Sequence, residues 1–457
     1  MRQLLVRSER VVLPDGVRPA TIRITDRLIS DVGPHGDSSA GVEELDVGSL
    51  VVSPGVVDSH VHINDPGRAD WEGFEHATRA AAAGGVTTLV DMPLNSIPST
   101  TSAAGLAAKQ AAATGRCHVD VGFWGGVVPG NASDLAPLAH AGVLGFKCFL
   151  SPSGVAEFEH VSEQDLREAL PEVSRLDLPL LVHAELPAFL KDPRSLKSST
   201  TDPRRYETWL RSRPPESELA AIDLLLSLAR QYGVRLHIVH LATPDALPRI
   251  ERARQSGVRV TVETCPHYLT FAAEEIADGA TSLKCAPPIR ERSHRDGLWT
   301  GLMGDAIDFI ATDHSPAPPA LKALDTGNFL DAWGGISSLQ LSLAAVWTGM
   351  TSRGFPLERT GAWLSQRPAR LAGIDAQKGT VAPGRDADLV VWDPDATTVI
   401  AGSTLYHRHP VTPYSGMTLR GRVQTTLLGG EVVFRDGECC GEPRGRQLHA
   451  DRYFGRP

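Results

Sequence analysis

Eight short apolar segments recur between residues 55 and 316, and each is followed by a loop and a stretch with helical patterning. Most are rich in β-branched residues and nearly continuous in hydrophobicity, as strands buried on both faces of a parallel sheet are. The segments are GVVDSHVHI, GVTTLVDMP, HVDVGFWGGV, GVLGFKCFL, LPLLVHAE, VRLHIVHLA, RVTVETCPHYL and AIDFIATDHSP. Eight strand–helix units joined by right-handed crossovers predict an α/β fold, the closed (β/α)₈ TIM barrel.

The two ends of the chain have a different pattern. They alternate apolar and polar residues between turn signals such as Pro-Asp-Gly, which favours short antiparallel strands. We expect the two ends to pair into one small β-sandwich beside the barrel. The predicted domains are residues 1–53 as the N-terminal part of the sandwich, residues 54–377 as the barrel, and residues 378–457 as the C-terminal part of the sandwich and a tail.

Composition and charge exclude several classes of partner. The 457 residues carry a formal net charge of −9, which argues against nucleic acid or an anionic membrane as a binding surface. No apolar run approaches the roughly 18 residues of a membrane span, and the N-terminus MRQLLVRSERVVLPDG lacks the apolar core of a signal peptide. The six cysteines form no disulfide framework. We therefore expect a cytoplasmic protein that binds neither nucleic acid nor membrane.

Metal-ligand residue types end four of the predicted strands. His60 and His62 end the first strand, and because strand side chains alternate, both imidazoles face the barrel mouth. His183 and His240 end the fifth and sixth strands, and Asp313 ends the eighth. A lone buried histidine is commonly a hydrogen-bonded core residue. Four histidines and a carboxylate that converge from four strands indicate a divalent, zinc-like metal site.

The fourth strand contains a lysine in an apolar setting. Lys147 lies between Phe146 and Cys148, and an unpaired buried ammonium is strongly unfavourable. An ion pair or a lowered pKa would relieve part of this cost. Next to metal ions, we favour carboxylation of the amine by CO₂ to N6-carboxylysine. The carbamate is an anion with two oxygens that can bridge two metals.

Taken together, these motifs resemble the cyclic amidohydrolases of the amidohydrolase superfamily along essentially the whole chain, and among them the allantoinases. The motifs that carry the resemblance are GVVDSHVHINDPG, DMPLN, GFKCFL, VHAE, ETCPHYL, KCAPPIR and ATDHSP. The resemblance implies a metal-dependent hydrolase of cyclic amides with a binuclear centre and a bridging hydroxide. Zinc is the preferred metal, and cobalt, manganese or iron is compatible with the same ligands.

The resemblance also implies a role for each ligand-type residue. The implied metal ligands are His60, His62, Lys147, His183, His240 and Asp313. The histidine pair of the first strand would bind the more buried ion, the other two histidines would bind the more exposed ion, and the carboxylated lysine would bridge both. Asp313 would bind the buried ion and act as the catalytic acid and base.

Two positions help to choose among the relatives. Dihydroorotases resemble this chain but have an arginine two residues after the second histidine, where Asn64 stands here, and a neutral amide cannot replace that cation. Hydantoinases and dihydropyrimidinases have a tyrosine five residues after the bridging lysine, where Pro152 stands here. Both differences favour a neutral, ureido-bearing hydantoin, so the expected reaction is hydrolysis of allantoin to allantoate in purine catabolism. A hydantoinase or dihydropyrimidinase and a non-catalytic scaffold paralogue are the alternatives.

Several further residues lie near the predicted barrel mouth. The candidate substrate contacts are Asn95, Cys285, Pro287 and Ser315. The proline-rich KCAPPIR segment is either a rim loop that presents backbone groups to the small-molecule substrate or a rigid connector. Asp91, Glu185 and His267 have either a supporting or a purely structural role, and residues 192–217 and 316–335 are candidate lids. The resemblance suggests a homo-oligomer, specifically a homotetramer.

Overall fold

The structure is a computed structural model that describes residues 2–38, 40–192 and 202–450. Its strands in chain order are β1 (Gln3–Leu13), β2 (Gly16–Thr25), β3 (Leu28–Pro34), β4 (Glu43–Asp46), β5 (Val51–Pro54), β6 (Val56–Val61), β7 (Val86–Asp91), β8 (Asp120–Phe123), β9 (Gly125–Gly126), β10 (Phe146–Phe149), β11 (Pro179–His183), β12 (Arg235–Ile238), β13 (Val260–Thr264), β14 (Phe309–Ile310), β15 (Leu389–Val399), β16 (Thr418–Leu428), β17 (Glu431–Arg435) and β18 (Glu438–Cys439). Its α-helices are α1 (Phe74–Ala83), α2 (Ala103–Ala113), α3 (Leu135–His140), α4 (Glu163–Leu176), α5 (Tyr206–Ser212), α6 (Pro215–Tyr232), α7 (Leu247–Gln255), α8 (Pro266–Thr270), α9 (Arg292–Met303), α10 (Ser342–Thr351), α11 (Arg359–Gly361) and α12 (Arg367–Leu371).

Strands β6 to β14 form the predicted barrel. Strands β6, β7 and β8 pair in parallel, as do β9 to β14, and β8 and β9 are separated by Trp124 alone. A parallel bridge between Val61 and His314 joins β6 to the segment after β14 and closes the ring. Each of the eight apolar segments therefore contains a barrel strand, and the (β/α)₈ prediction is confirmed.

Strands from both chain ends form the second layer, a nine-stranded sheet. Strand β5 pairs with β1 in parallel and with β15 antiparallel, so the two ends of the chain meet at this strand. The Ile29 N–H donates to the Arg385 carbonyl and the Gly384 N–H donates to the Ile29 carbonyl, which brings β3 back onto the start of β15. Buried side chains from both ends share one apolar core, among them Val6 and Leu427. The predicted β-sandwich is confirmed.

A buried charge cluster joins the barrel to the sandwich. Lys378 Nζ lies 2.6 Å from a carboxylate oxygen of Asp120 at the start of β8, and 2.8 Å and 2.6 Å from those of Asp386 and Asp388 near β15. Although burial opposes it, the three carboxylates raise the pKa of Lys378 above its usual range. The lysine thus neutralises an acidic group that would otherwise be costly to bury.

The C-terminal segment contacts the barrel. The Val121 N–H of β8 donates to the Arg446 carbonyl, and the Leu448 N–H donates to the Val121 carbonyl, at 2.9 and 2.8 Å. A Cβ on Gly445 would lie 1.9 Å from the Val119 carbonyl oxygen, so only glycine allows this approach. Among the described residues, no helix combines the length and apolarity needed to cross a membrane.

Candidate metal centre and substrate pocket

The predicted ligand residues meet at the carboxyl ends of the barrel strands. They are His60 in β6, His62 directly after β6, Lys147 in β10, His183 at the end of β11, His240 in the loop after β12 and Asp313 in the loop after β14. All but the aspartate are buried, and the aspartate side chain is 13% exposed. The closed ring of strands brings residues more than 250 positions apart in sequence into one group.

Three donor atoms of this group approach a single point. Asp313 Oδ1 lies 3.1 Å from His60 Nε2 and 3.3 Å from His62 Nε2. Although burial lowers it, the carboxylates of Asp313 and Glu263 raise the pKa of His60 to about 9. The electrostatic field at these donors therefore favours a cation.

A second pair of donors lies beside the first. His183 Nδ1 and His240 Nε2 are 3.0 Å apart, and the His240 ring centroid is 5.5 Å from that of His60. Lys147 Nζ is fully buried and has no hydrogen-bond partner among the described residues. Burial lowers the pKa of this amine to about 8.

Two of the predicted ligand residues have an unusual backbone conformation. His240 has φ 39° and Asp313 has φ 47°, both in the left-handed region that residues other than glycine rarely adopt. Such a conformation costs on the order of 1–3 kcal/mol and persists only where the surrounding structure enforces it. Here it directs the two side chains into the barrel mouth.

Two buried carboxylates orient the histidines from behind. Glu263 Oε1 lies 2.5 Å from His60 Nδ1, and Glu263 Oε2 lies 3.1 Å from His237 Nε2. Glu185 Oε2 lies 2.8 Å from His183 Nε2. A carboxylate on one ring nitrogen keeps the proton there and leaves the other nitrogen as a ligand, which is the usual support of metal-binding histidines. This arrangement leaves His60 Nε2 and His183 Nδ1 as the ring nitrogens that would coordinate a metal.

Glu263 and His237 were not anticipated from the sequence. Their signal was available, since Glu263 is the acidic residue inside the apolar strand segment RVTVETC. Asp91 has a supporting role as well: it accepts from the Ile63 N–H at 2.8 Å and from Lys109 Nζ at 2.5 Å. It thereby holds the backbone directly after His62 in place.

The donor set fits a divalent metal centre. It combines imidazole nitrogens with carboxylate oxygen, fixed in orientation by further buried carboxylates. The buried amine of Lys147 and the buried Nδ1 of His240 both lack a hydrogen-bond partner among the described residues, so the described side chains leave polar groups of this centre unsatisfied. Bound metal would supply Lewis acidity at this point.

A cavity of about 260 Å³ opens above the centre. Its lining residues are His60, His62, Leu94, Asn95, Phe149, Pro152, Ser153, Gly154, His183, Trp209, Arg213, His240, Lys284, Cys285, Ala286, Asp313, Ser315, Ala332, Trp333, Gly334 and Gly335. Of the candidate substrate contacts, Asn95, Cys285 and Ser315 line this cavity. Pro287 lies outside its lining, and its carbonyl accepts a hydrogen bond from the Tyr268 hydroxyl at 2.6 Å.

Both candidate lid segments contribute to the cavity walls. Trp209 and Arg213 come from residues 192–217, and residues 332–335 come from the second segment. Part of the first prediction, residues 193–201, lies outside the described residues. Pro152 stands in the wall at the position where a tyrosine would be expected in a hydantoinase, so the chain supplies no phenolic hydroxyl from that position.

Comparison with known proteins places this site in a family. Residues 51–433 match the amidohydrolase family, and the chain belongs to that family. Within it, the chain is 50% identical over 448 residues to the allantoinase of Streptomyces avermitilis, with 98% of each chain covered. It is 45% identical over 450 residues to the allantoinase of Arabidopsis thaliana, which covers 95% of this chain and 88% of that one.

A solved structure agrees with the fold. The L-hydantoinase (dihydropyrimidinase) of Arthrobacter aurescens superposes with a TM-score of 0.92 at 31% identity, covering 98% of this chain and all of that chain. The resemblance to cyclic amidohydrolases seen in the sequence motifs is therefore confirmed, and the higher identities are to allantoinases.

Proposed function

We propose that the protein hydrolyses the hydantoin ring of allantoin to give allantoate. The observation that carries this proposal is the convergence of six ligand-type residues beneath one cavity of about 260 Å³, large enough for a small cyclic amide. The 50% identity to an allantoinase over almost the full length supports the choice of substrate.

Two divalent ions, with zinc as the preferred metal, would be held by the four histidines, Asp313 and carboxylated Lys147. When bound, the ions would polarise the scissile carbonyl and activate a water molecule. The buried Lys147 amine supports the carboxylation: with its pKa lowered to about 8, part of it is neutral at physiological pH. The neutral amine would form an N–C bond to CO₂ and release one proton.

Asp313 would move the proton during ring opening. Although burial opposes it, the His60 ring and its neighbours hold the pKa of Asp313 well below its usual range, so the carboxylate is ionised and can accept a proton. A water oxygen bonds to the ring carbonyl carbon, the bond from that carbon to the ring nitrogen breaks, and Asp313 passes the water proton to the leaving nitrogen. Such a shuttle contributes typically about 10²–10⁴-fold to rate.

The cavity walls would orient the ring. Asn95, Cys285 and Ser315 line the cavity and are proposed to contact the substrate, while Pro287 stiffens the wall behind Cys285. Because Pro152 donates no hydrogen bond, stabilisation of the developing oxyanion would come from bound metal and from backbone N–H groups.

A parallel substrate assay tests this proposal. Purified protein reconstituted with zinc is given allantoin, 5-methylhydantoin, dihydrouracil and dihydroorotate, with and without a chelator. We expect the highest kcat/KM on allantoin and loss of that activity with chelator. If a simple hydantoin or dihydrouracil is the best substrate, the protein is a hydantoinase or dihydropyrimidinase. If no ring opens and fewer than one metal ion binds per chain, it is a scaffold.

The carboxylated lysine has its own test. Protein labelled with ¹³C-bicarbonate should show a carbamate carbon signal that the Lys147→Ala variant lacks. Lys191→Ala, at an unrelated position, is the control.

A homotetramer, which the resemblance to cyclic amidohydrolases suggests, is measured by light scattering. We also propose a cytoplasmic location, because all six cysteines are free thiols.

A further inference from the structure

One wall of the cavity carries two cationic side chains on an aromatic ring. Lys284 Nζ lies 4.4 Å from the Trp209 ring centroid, and the Arg213 guanidinium carbon lies 5.3 Å from the same ring. All three residues line the cavity above the metal centre. None of them belongs to the metal ligands or to the candidate substrate contacts named from the sequence.

The tryptophan is held in a fixed position. Its indole Nε1–H donates to the Cys285 carbonyl at 2.9 Å, which ties α5 to the rim segment KCAPPIR. Lys284 precedes that cysteine, and its ammonium donates to the Ala332 carbonyl at 2.6 Å while facing the cavity. Helix α5 and the KCAPPIR segment, which are far apart in sequence, thus hold the Lys284 ammonium against the Trp209 ring.

The arginine connects this wall to the metal centre. Its Nη2 lies 3.2 Å from Glu185 Oε2, and the same carboxylate oxygen holds His183 at 2.8 Å. Arg213 Nε is buried and has no hydrogen-bond partner among the described residues. Glu185 compensates the arginine charge, and Arg213 and Lys284 together present directional N–H donors to the cavity.

Cationic N–H groups beside an aromatic face suit a planar group with a carbonyl acceptor. With the scissile ring carbonyl of allantoin at the metal centre, the part of the substrate outside the ring is its exocyclic ureido group, which is planar and carries one carbonyl oxygen. We propose that Lys284, with Arg213 and Trp209, binds this ureido group and makes the enzyme select ureido-substituted hydantoins. This inference rests on the proposed function, since it names residues that recognise the proposed substrate.

The test compares substrates that differ only in the ring substituent. Steady-state kcat/KM is measured on allantoin, 5-methylhydantoin and hydantoin-5-acetate for the wild type, Lys284→Met and Lys284→Arg. Methionine keeps the apolar stem over Trp209 and removes the cation. We expect Lys284→Met to lose about tenfold more kcat/KM on allantoin than on 5-methylhydantoin, the size of one hydrogen bond from a charged donor. Lys284→Arg should retain most of the preference.

A neighbouring lysine provides the matched control. Lys322 is also buried and binds the Trp333 and Gly335 carbonyls of the same wall at 3.0 and 2.7 Å, but it does not line the cavity. If Lys284 acts only by bracing the wall, Lys322→Met will change the substrate ratio as Lys284→Met does. We expect Lys322→Met to lower kcat/KM on both substrates equally.

The outcomes separate this inference from the proposed function. Wild-type hydrolysis of allantoin together with equal losses on both substrates in Lys284→Met overturns the inference and leaves the function intact. A selective loss on hydantoin-5-acetate also overturns it, because the wall would then recognise a carboxylate. Absence of wild-type activity on allantoin overturns the function itself. Thermal unfolding of each variant shows that the comparison is made on folded protein.

Discussion

Removing the charge of Glu263 should weaken metal binding without disturbing the fold. Its side chain is completely buried, and its two oxygens face His60 Nδ1 and His237 Nε2 at 2.5 and 3.1 Å. In Glu263→Gln the amide oxygen can still accept from His60, while the amide nitrogen faces His237. His237 can adopt its other tautomer, because its Nδ1 contacts the Thr261 hydroxyl, which accepts or donates.

The cost in metal affinity follows from this geometry. The His60 proton then points at a neutral amide oxygen in place of a carboxylate, so the ligand nitrogen on the opposite side becomes a poorer donor. Loss of such a partner typically weakens metal binding about 10–100-fold, or about 1.4–2.7 kcal/mol. Glu263→Ala should cost more, because it leaves the imidazole N–H groups buried without an acceptor.

Competition with a zinc-buffering chelator measures the affinity, and activity at saturating zinc shows whether the loaded site still works. The matched control is Glu218→Gln. Glu218 is also a buried glutamate, but it accepts from the Ala242 N–H at 2.8 Å and pairs with Arg290 at 3.4 Å, away from the ligands. An unchanged zinc affinity in Glu263→Gln, or an equal loss in Glu218→Gln, would refute the reasoning.

Three further outcomes are expected. Asp313→Asn should lower kcat by about 10²–10⁴-fold at saturating zinc, because the amide cannot accept the proton. Metal analysis of the same sample accompanies the activity assay. Lys378→Met should lower the free energy of unfolding in urea by about 3–5 kcal/mol by leaving buried carboxylates uncompensated, with kcat/KM of the folded protein unchanged. Although burial opposes it, Arg213 and His183 lower the pKa of Glu185 from 4.5 to about 2. The stabilisation of the folded state by the ionised Glu185 carboxylate is therefore complete above pH 4.5 and is lost as pH falls toward 2. Metal-free protein should therefore lose roughly 3 kcal/mol of stability over that range, and a Glu185→Gln variant should lack this part of the pH dependence.

The barrel could be predicted from the sequence because its strands are buried on both faces. Each such strand reads as a short apolar run, and the order of eight runs with helical stretches between them allows few topologies. The sequence predicted that strands from the two chain ends share one sandwich, but not which residues of those strands lie opposite each other. The approach of residues 445–448 to β8 was not foreseen, because a four-residue backbone contact has no hydrophobic period.

The candidate metal ligands were visible because each is a polar residue that interrupts or ends an apolar strand segment. Glu263 was missed although it also interrupts one, since a single acidic residue inside a strand does not show which histidine it faces. Arg213 and Lys284 were missed for another reason. They are charged residues in loops, and only the three-dimensional path of those loops turns them toward the cavity rather than toward water.

The position of β5 between β1 and β15 constrains how the chain is made. The partner of Val51 and Val52 across that strand is the segment from residue 389, more than 330 residues later. At a ribosomal rate of roughly 5–20 residues per second, the N-terminal strands wait roughly 20–70 s with an open edge before that partner is synthesised. During this interval the open edge is available to a chaperone or a neighbouring nascent chain, so we expect the yield of active protein to depend on translation speed as well as on final stability.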